Sequence, residues 1–138
     1  HDVVPPLLHA FGPDVLVTQL GIDSYHADPL THLQLTTRGY VEAVKVFSSL
    51  EIPWLALGGG GYDLMAVARA WTLAYGVMLG VEWPDRIPDG FTQEHGVRQL
   101  RDTETPEVPS DVQQEAQRYA EETVAEIKEK VFPVHGLS

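Results

Sequence analysis

The hydrophobic residues of this 138-residue chain form short continuous runs that alternate with segments of helical spacing. Residues 3–11 predict a short helix whose prolines lie near its start, where proline is tolerated. The continuous apolar runs within 14–20 and 52–57 favour strands buried on both faces. Between these runs, apolar residues at helical spacing predict a helix capped by Thr36 or Thr37, and a mostly apolar, deeply packed helix is predicted over 64–79. The apolar positions of the first of these two helices are Tyr40, Val41, Val44, Phe47 and Leu50.

The order of these elements indicates the fold class. A strand, a helix and a second strand form a βαβ unit, in which the strands are parallel and the crossover is right-handed. Ligands of open parallel sheets bind beyond the carboxyl ends of the strands. Asp23 follows the first strand and four consecutive glycines, 58–61, follow the second. The sequence therefore predicts an α/β fold in which these two loops open into one crevice.

The C-terminal third has a different pattern. Four prolines punctuate a polar, irregular segment over 82–109. Ser110 then has the features of an N-cap, and apolar residues on one face predict a helix to about residue 132 with a charged opposite face. These positions are Val112, Ala116, Tyr119, Thr123, Ile127 and Val131. We therefore expect residues 91–138 to form an irregular linker and an amphipathic surface helix that packs on the same domain.

Composition narrows the function classes. A formal net charge of −11 argues against nucleic acid or an anionic membrane surface as the main partner. The absence of cysteine excludes thiolate nucleophiles and Cys-rich zinc sites, so any metal takes carboxylate, imidazole or carbonyl ligands. We take the reducing cytoplasm as the expected location. Residues 64–81 approach the length of a membrane span, but the interior Arg69 favours a buried core helix, in which the arginine pairs with a carboxylate.

Each residue that could take part in binding or catalysis also has a purely structural interpretation. The glycine run lacks the Lys and Ser or Thr of a phosphate loop, because Tyr62 and Asp63 follow it, so nucleotide binding is a weak interpretation and a close backbone crossing is another. Asp23 suits either a turn or a metal ligand, and His26 and Asp28 add the option of a local three-ligand site. Tyr62 either packs its ring or donates a hydrogen bond to a carbonyl oxygen. The residues alone leave these alternatives open.

Four phrases in order carry a family resemblance: VTQLGIDS at 17–24, DPLTHLQLTTRGY at 28–40, LGGGGY at 57–62 and VARAWT at 67–72. Together they resemble the C-terminal part of a zinc-dependent histone deacetylase. The second phrase is most similar to the bacterial acetoin-utilisation deacetylases. The resemblance covers about residues 3–90, so residues 1–90 are expected to be an incomplete, C-terminal portion of a deacetylase catalytic domain.

The resemblance implies an arginase/deacetylase-like fold with a mostly parallel central sheet flanked by helices, and zinc-dependent hydrolysis of acetyl-lysine, with another divalent metal as an option. Asp23 matches a metal-binding aspartate of the family, and Tyr62 matches the catalytic tyrosine that hydrogen-bonds the substrate carbonyl. Gly60 falls among the glycines that line the substrate channel. Leu30 is an apolar residue at the expected channel rim, which favours acetyl-lysine in a protein substrate over a polyamine.

The chain also departs from the family pattern. Ala27 stands where many members carry glycine, and neither the paired catalytic histidines nor the Asp-x-His metal ligands occur in these 138 residues. One aspartate cannot hold catalytic zinc, which needs three protein ligands. We therefore expect the remainder of the catalytic domain upstream of His1 to be a required partner, and the isolated chain to be inactive. The alternative is a non-catalytic module that recognises acyl-lysine or docks a partner.

Overall fold

The computed structural model describes all 138 residues. Its helices and strands, in chain order, are α1 (Val4–Phe11), β1 (Leu16–Leu20), α2 (Thr37–Ser48), β2 (Trp54–Gly58), α3 (Leu64–Leu79), α4 (Asp89–His95) and α5 (Ser110–Lys130), followed by a 3₁₀ turn (Phe132–His135). The chain divides into two compact units. One comprises Leu16–Pro106, and the other combines His1–Val15 with Glu107–Ser138.

The Leu16–Pro106 unit contains the predicted parallel βαβ arrangement. β1 and β2 form a two-stranded parallel sheet in which Leu16 lies opposite Trp54 and Leu20 lies opposite Gly58, and α2 connects the two strands. The α/β class and the parallel pairing are thus confirmed. A larger arginase-like central sheet stays a prediction.

The core of this unit lies between α2, α3 and one face of the sheet. The buried residues are Leu20, Ile22, Tyr25, Tyr40, Val41, Val44, Ala66, Ala70, Leu73 and Ala74. Two side chains tie the helices to the end of β1, because the hydroxyl of Tyr40 and the indole N–H of Trp71 both donate to the backbone oxygen of Leu20, at 3.2 and 2.8 Å. The helices therefore fix the point from which the loop with Asp23 leaves the sheet.

The prediction that both strands are buried on two faces is wrong for this chain. Val17, Leu55 and Leu57 are 50–56% exposed, whereas Trp54 and Ala56 on the opposite face pack against the core. The cause is that α2 and α3 cover only one face of the sheet. α3 is likewise buried along one side, since Leu64 is 75% exposed, so the expectation of a deeply packed helix is also corrected.

Both helices of the βαβ region begin at side-chain caps. Thr36 accepts from the backbone N–H of Gly39 at the start of α2. Asp63 accepts from the N–H groups of Met65 and Ala66 at the start of α3. Such caps satisfy backbone donors that have no partner within the helix. Asp63, the residue after Tyr62, therefore has a helix-capping role.

The second unit contains α1, α5 and the 3₁₀ turn, which contacts both helices. Pro109, not Ser110, precedes α5, and no side chain caps the helix there. The helix ends at Lys130, short of the predicted residue 132, because the chain tightens into the 3₁₀ turn at Phe132, which is buried. Packing of α5 on the domain formed by residues 1–90 stays a prediction. No helix in the structure has the length and apolar character needed to cross a membrane.

Candidate active site

Two loops meet at the carboxyl ends of the paired strands: the aspartate loop (residues 21–35) after β1 and the glycine loop (residues 59–63) after β2. The N–H of Ile22 donates to the backbone oxygen of Gly60 at 2.6 Å. A Cβ atom placed on Gly59 would lie 2.7 Å from the Cα of Gly21, closer than real Cβ contacts permit. The glycine run thus allows the close backbone crossing that was one of its sequence interpretations.

Asp23 lies directly against Gly60. A Cβ atom on Gly60 would lie 2.8 Å from the Cγ atom of Asp23 and would overlap its carboxylate. Asp23 itself is partly buried, and its backbone oxygen accepts from the hydroxyl of Thr31. That hydrogen bond leaves the carboxylate oxygens available to a ligand. The crossing therefore presents one carboxylate at the edge of the glycine loop.

Asp28 connects the two loops through the backbone. It is a buried residue whose Oδ1 accepts from the N–H of Leu30 and whose Oδ2 accepts from the N–H of Tyr62, both at 2.9 Å. Asp28 thus bridges the two loops, and it does not form the local three-ligand site with Asp23 and His26 that was considered from sequence. No group of three or more His, Asp or Glu side chains in the structure is placed to hold a metal ion.

The other two candidate residues present their side chains to solvent. Tyr62 is 54% exposed and Leu30 is 64% exposed. The packing interpretation of Tyr62 predicts a buried ring, so this exposure disfavours it. The shared contact with Asp28 fixes the backbone of both residues, while their side chains remain accessible to a substrate.

A separate hydrogen-bond network around the carboxylate of Asp102 contacts the aspartate loop at Tyr25. Nη2 of Arg69 lies 2.5 Å from Oδ1 of Asp102, and both side chains are nearly buried, which confirms the predicted pairing of Arg69 with a carboxylate. The same carboxylate accepts from Tyr25 and Thr37. Burial raises the pKa of Asp102, but the hydrogen bonds from Thr37 and Arg69 outweigh it and hold that pKa below its usual value. Sequence reasoning missed Asp102, which lies in an irregular segment without periodicity.

A cavity elsewhere in the structure does not coincide with this site. It has a volume of about 450 Å³ and lies beside α2 and the C-terminal end of α3, where Val41, Leu73 and Trp83 line it. None of the four candidate residues borders it. The candidate site is instead the point where the two loops cross.

Comparison with known proteins gives the family. A model of the histone deacetylase domain matches residues 1–78. The chain belongs to the histone deacetylase family. It is 40% identical over 87 residues to Histone deacetylase 19 of Arabidopsis thaliana, 63% of this chain and 17% of that protein. It is 42% identical over 94 residues to Putative histone deacetylase 2 of Caenorhabditis elegans, a match that covers 68% of this chain and 18% of that protein. It is 38% identical over 86 residues to Histone deacetylase 1 of Homo sapiens, a match that covers 62% of this chain and 18% of that protein.

The chain thus spans less than a fifth of the length of these histone deacetylases. The resemblance found in the sequence is confirmed at the level of the family, while the acetoin-utilisation branch stays a prediction. Catalytic zinc requires three protein ligands and an open position. No group of three candidate ligands occurs in the structure. That Asp23 is one ligand of a metal site completed by other residues stays a prediction.

Proposed function

We propose that this chain forms part of the active site of a zinc-dependent protein lysine deacetylase. The observation that carries the proposal is the placement of Asp23 against Gly60, two residues before Tyr62, at the carboxyl ends of paired parallel strands in a member of the histone deacetylase family. Zinc, or another divalent metal, would polarise the amide carbonyl and activate water. Asp23 would supply one of its ligands, and residues outside these 138 would supply the others.

The remaining candidate residues would act on the substrate. The exposed Tyr62 hydroxyl would donate to the acetyl carbonyl oxygen and stabilise the oxyanion that forms on attack. The backbone at Gly60 would line the acyl-lysine channel. Leu30 would stand at its rim, where an apolar side chain suits acetyl-lysine within a protein and offers no charge to the second cationic nitrogen of a polyamine. Asp28 supports these roles because it fixes the backbone of Leu30 and Tyr62.

The finer assignment is part of the same proposal. The phrase DPLTHLQLTTRGY supports a finer proposal, in which the protein resembles the bacterial acetoin-utilisation deacetylases and would act on acetylated proteins in the cytoplasm. Its net charge of −11 supports a partner that is neither nucleic acid nor an anionic membrane. The required partner would be the rest of the catalytic domain, which would carry the paired histidines and the other metal ligands.

The test compares variants of the complete deacetylase domain that contains this chain, with an acetyl-lysine peptide as substrate. Tyr62→Phe removes one oxyanion donor, so turnover should fall by about 10²–10³ while bound zinc is retained. Asp23→Ala should lose zinc and turnover together. Tyr75→Phe is the matched control, because Tyr75 is 57% exposed and lies outside the site. A less than threefold effect of Tyr62→Phe, or stoichiometric zinc with normal turnover in Asp23→Ala, would contradict these roles.

The alternative is a non-catalytic module that binds acyl-lysine or a partner protein. The half-exposed apolar residues Val17, Leu55 and Leu57 favour it, since they offer a surface for contact. Saturable peptide binding by an intact wild-type protein that shows no turnover with added zinc would support this alternative. The isolated 138 residues should be inactive in either case, and activity comparable to the complete domain would refute that expectation.

A further inference from the structure

We infer that Asp102 is a positioning residue for the candidate site, and that it acts through Tyr25 and Thr37 to hold the aspartate loop. The inference rests on the proposed function, because it assigns a role in the same reaction. Asp102 lies outside residues 1–78, the part that matches the family model. Its carboxylate nevertheless accepts four hydrogen bonds from three residues that are 33 to 77 positions away.

The first anchor is Tyr25, within the loop. Its hydroxyl donates to Oδ1 of Asp102 at 3.0 Å, and the residue is 6% exposed. Its backbone is joined to both sides of the loop, because its N–H donates to Ile22 at 3.0 Å and its carbonyl oxygen accepts from the N–H of Asp28 at 2.9 Å. A shift of Tyr25 would therefore displace Asp23, two residues earlier, and Asp28, which holds Tyr62.

The second anchor is Thr37, which follows the loop and begins α2. Thr37 is fully buried, and its N–H and hydroxyl donate to Oδ2 of Asp102 at 2.8 and 3.0 Å. The N–H of Asp102 lies 2.9 Å from the same hydroxyl oxygen. Within the loop, Leu35 pairs with the segment around Tyr25 through hydrogen bonds to Ser24 and His26. One carboxylate thus restrains Tyr25 within the loop and Thr37 just after the loop ends.

Arg69 fixes Asp102 in this position. Its Nε donates to the backbone oxygens of Gln99 and Leu100, both at 3.0 Å, so it binds the segment just before Asp102 as well as the carboxylate. Removal of either charge would leave the other buried without its partner, which strongly destabilises a fold. Asp102→Asn also removes the carboxylate charge, but it keeps the shape of the side chain and one acceptor oxygen. Tyr25→Phe leaves the Arg69–Asp102 ion pair intact, so it keeps the test decisive if Asp102→Asn does not fold.

The experiment uses Asp102→Asn and Tyr25→Phe in the complete deacetylase domain. Tyr25→Phe keeps the ring in the core and removes only the hydroxyl, which donates to Asp102 and accepts from Nη1 of Arg69 at 3.4 Å, so it should remain folded. We expect each variant to lower kcat by about 10- to 100-fold with little change in KM, as for residues that orient metal ligands. The double variant should lose little more than Asp102→Asn alone, because both act through one contact. The matched control is Asp85→Asn, which removes an exposed carboxylate that pairs with Arg101 at 2.8 Å.

Amide hydrogen exchange supplies a readout that does not depend on activity. In Asp102→Asn, the amides of Tyr25, Asp28 and Tyr62 should exchange about tenfold faster while those of β1 stay unchanged. A folded Tyr25→Phe variant with wild-type kcat would overturn the inference, and so would unchanged loop exchange in Asp102→Asn. If the wild type itself shows no turnover, the proposed function fails, and the exchange rates still decide whether Asp102 holds the loop.

Discussion

Gly60→Ala tests the central geometric claim, that the glycine loop is built to accommodate the Asp23 carboxylate. The added Cβ would lie 2.8 Å from Cγ of Asp23 and overlap the carboxylate itself. The glycine loop cannot easily move away, because its backbone packs tightly against Gly21. The tightness of this contact is shown by a Cβ atom placed on Gly21, which would lie 3.1 Å from the nitrogen of Gly60. The carboxylate therefore has to move.

The expected magnitudes follow from which group moves. Asp23 has a short side chain with a free end, so it can rotate away at a cost of roughly 0.5–1.5 kcal/mol for a distorted rotamer. The free energy of unfolding should thus fall by only about 1 kcal/mol. Activity is more sensitive, because a displacement of about 1 Å in a reacting group can cost about 10²-fold. The prediction is a small loss of stability with a loss of turnover of about two orders of magnitude.

The assay measures turnover, bound zinc and urea unfolding for the complete domain. The matched control is Gly90→Ala, since Gly90 lies within α4 and a Cβ there would meet no atom within 4 Å. That control should be neutral or more stable by about 0.5–1 kcal/mol, because alanine favours helix. Wild-type turnover and zinc content in a folded Gly60→Ala variant would refute the geometric reasoning.

Two further predictions concern buried polar groups in the same unit. Asp28→Asn replaces one carboxylate oxygen with an NH₂ group, so the N–H of either Leu30 or Tyr62 loses its acceptor. The free energy of unfolding, measured in urea, should fall by about 1–3 kcal/mol. A fall of less than about 0.5 kcal/mol would contradict the bridging role of Asp28. Burial raises the pKa of Tyr40 to about 12. The stability that depends on neutral Tyr40 is therefore complete below pH 10 and is lost as the pH rises from 10 through 12. Over that range the free energy of unfolding should fall by on the order of 2 kcal/mol more in the wild type than in Tyr40→Phe. Parallel curves of stability against pH would refute the raised pKa.

Local sequence patterns predicted the elements that position the site. The bounds 64–79 predicted for α3 agree with Leu64–Leu79, and both strands lie within or next to their predicted segments. The same patterns gave the wrong burial for the strands. An apolar run shows that a strand can be buried on two faces, but coverage of each face depends on which elements pack there. In this chain Val17 and Leu55 lie opposite each other on the face that the helices leave exposed.

The Asp102 network could not be predicted from the same patterns. Periodicity describes neighbours within one turn or one pleat, whereas Asp102 contacts Thr37 and Tyr25 at separations of 65 and 77 residues. The interior Arg69 gave a partial signal, because a charged residue on an apolar helix needs a partner when it is buried. That signal indicated a carboxylate, but it did not identify which of the acidic residues supplies it.

Asp23 and Asp28 show why residue type and spacing alone do not assign a metal ligand. Both are aspartates of one loop, five residues apart, and sequence favours either as an oxygen donor. In the structure, backbone N–H groups occupy both oxygens of Asp28, whereas Asp23 is hydrogen-bonded through its backbone and presents its carboxylate beside Gly60. The two backbone donors hold the Asp28 carboxylate in place between the loops, where it serves as a bridge. The division of roles therefore depends on the glycine loop, which brings the amide of Tyr62 to Asp28 and leaves Asp23 free.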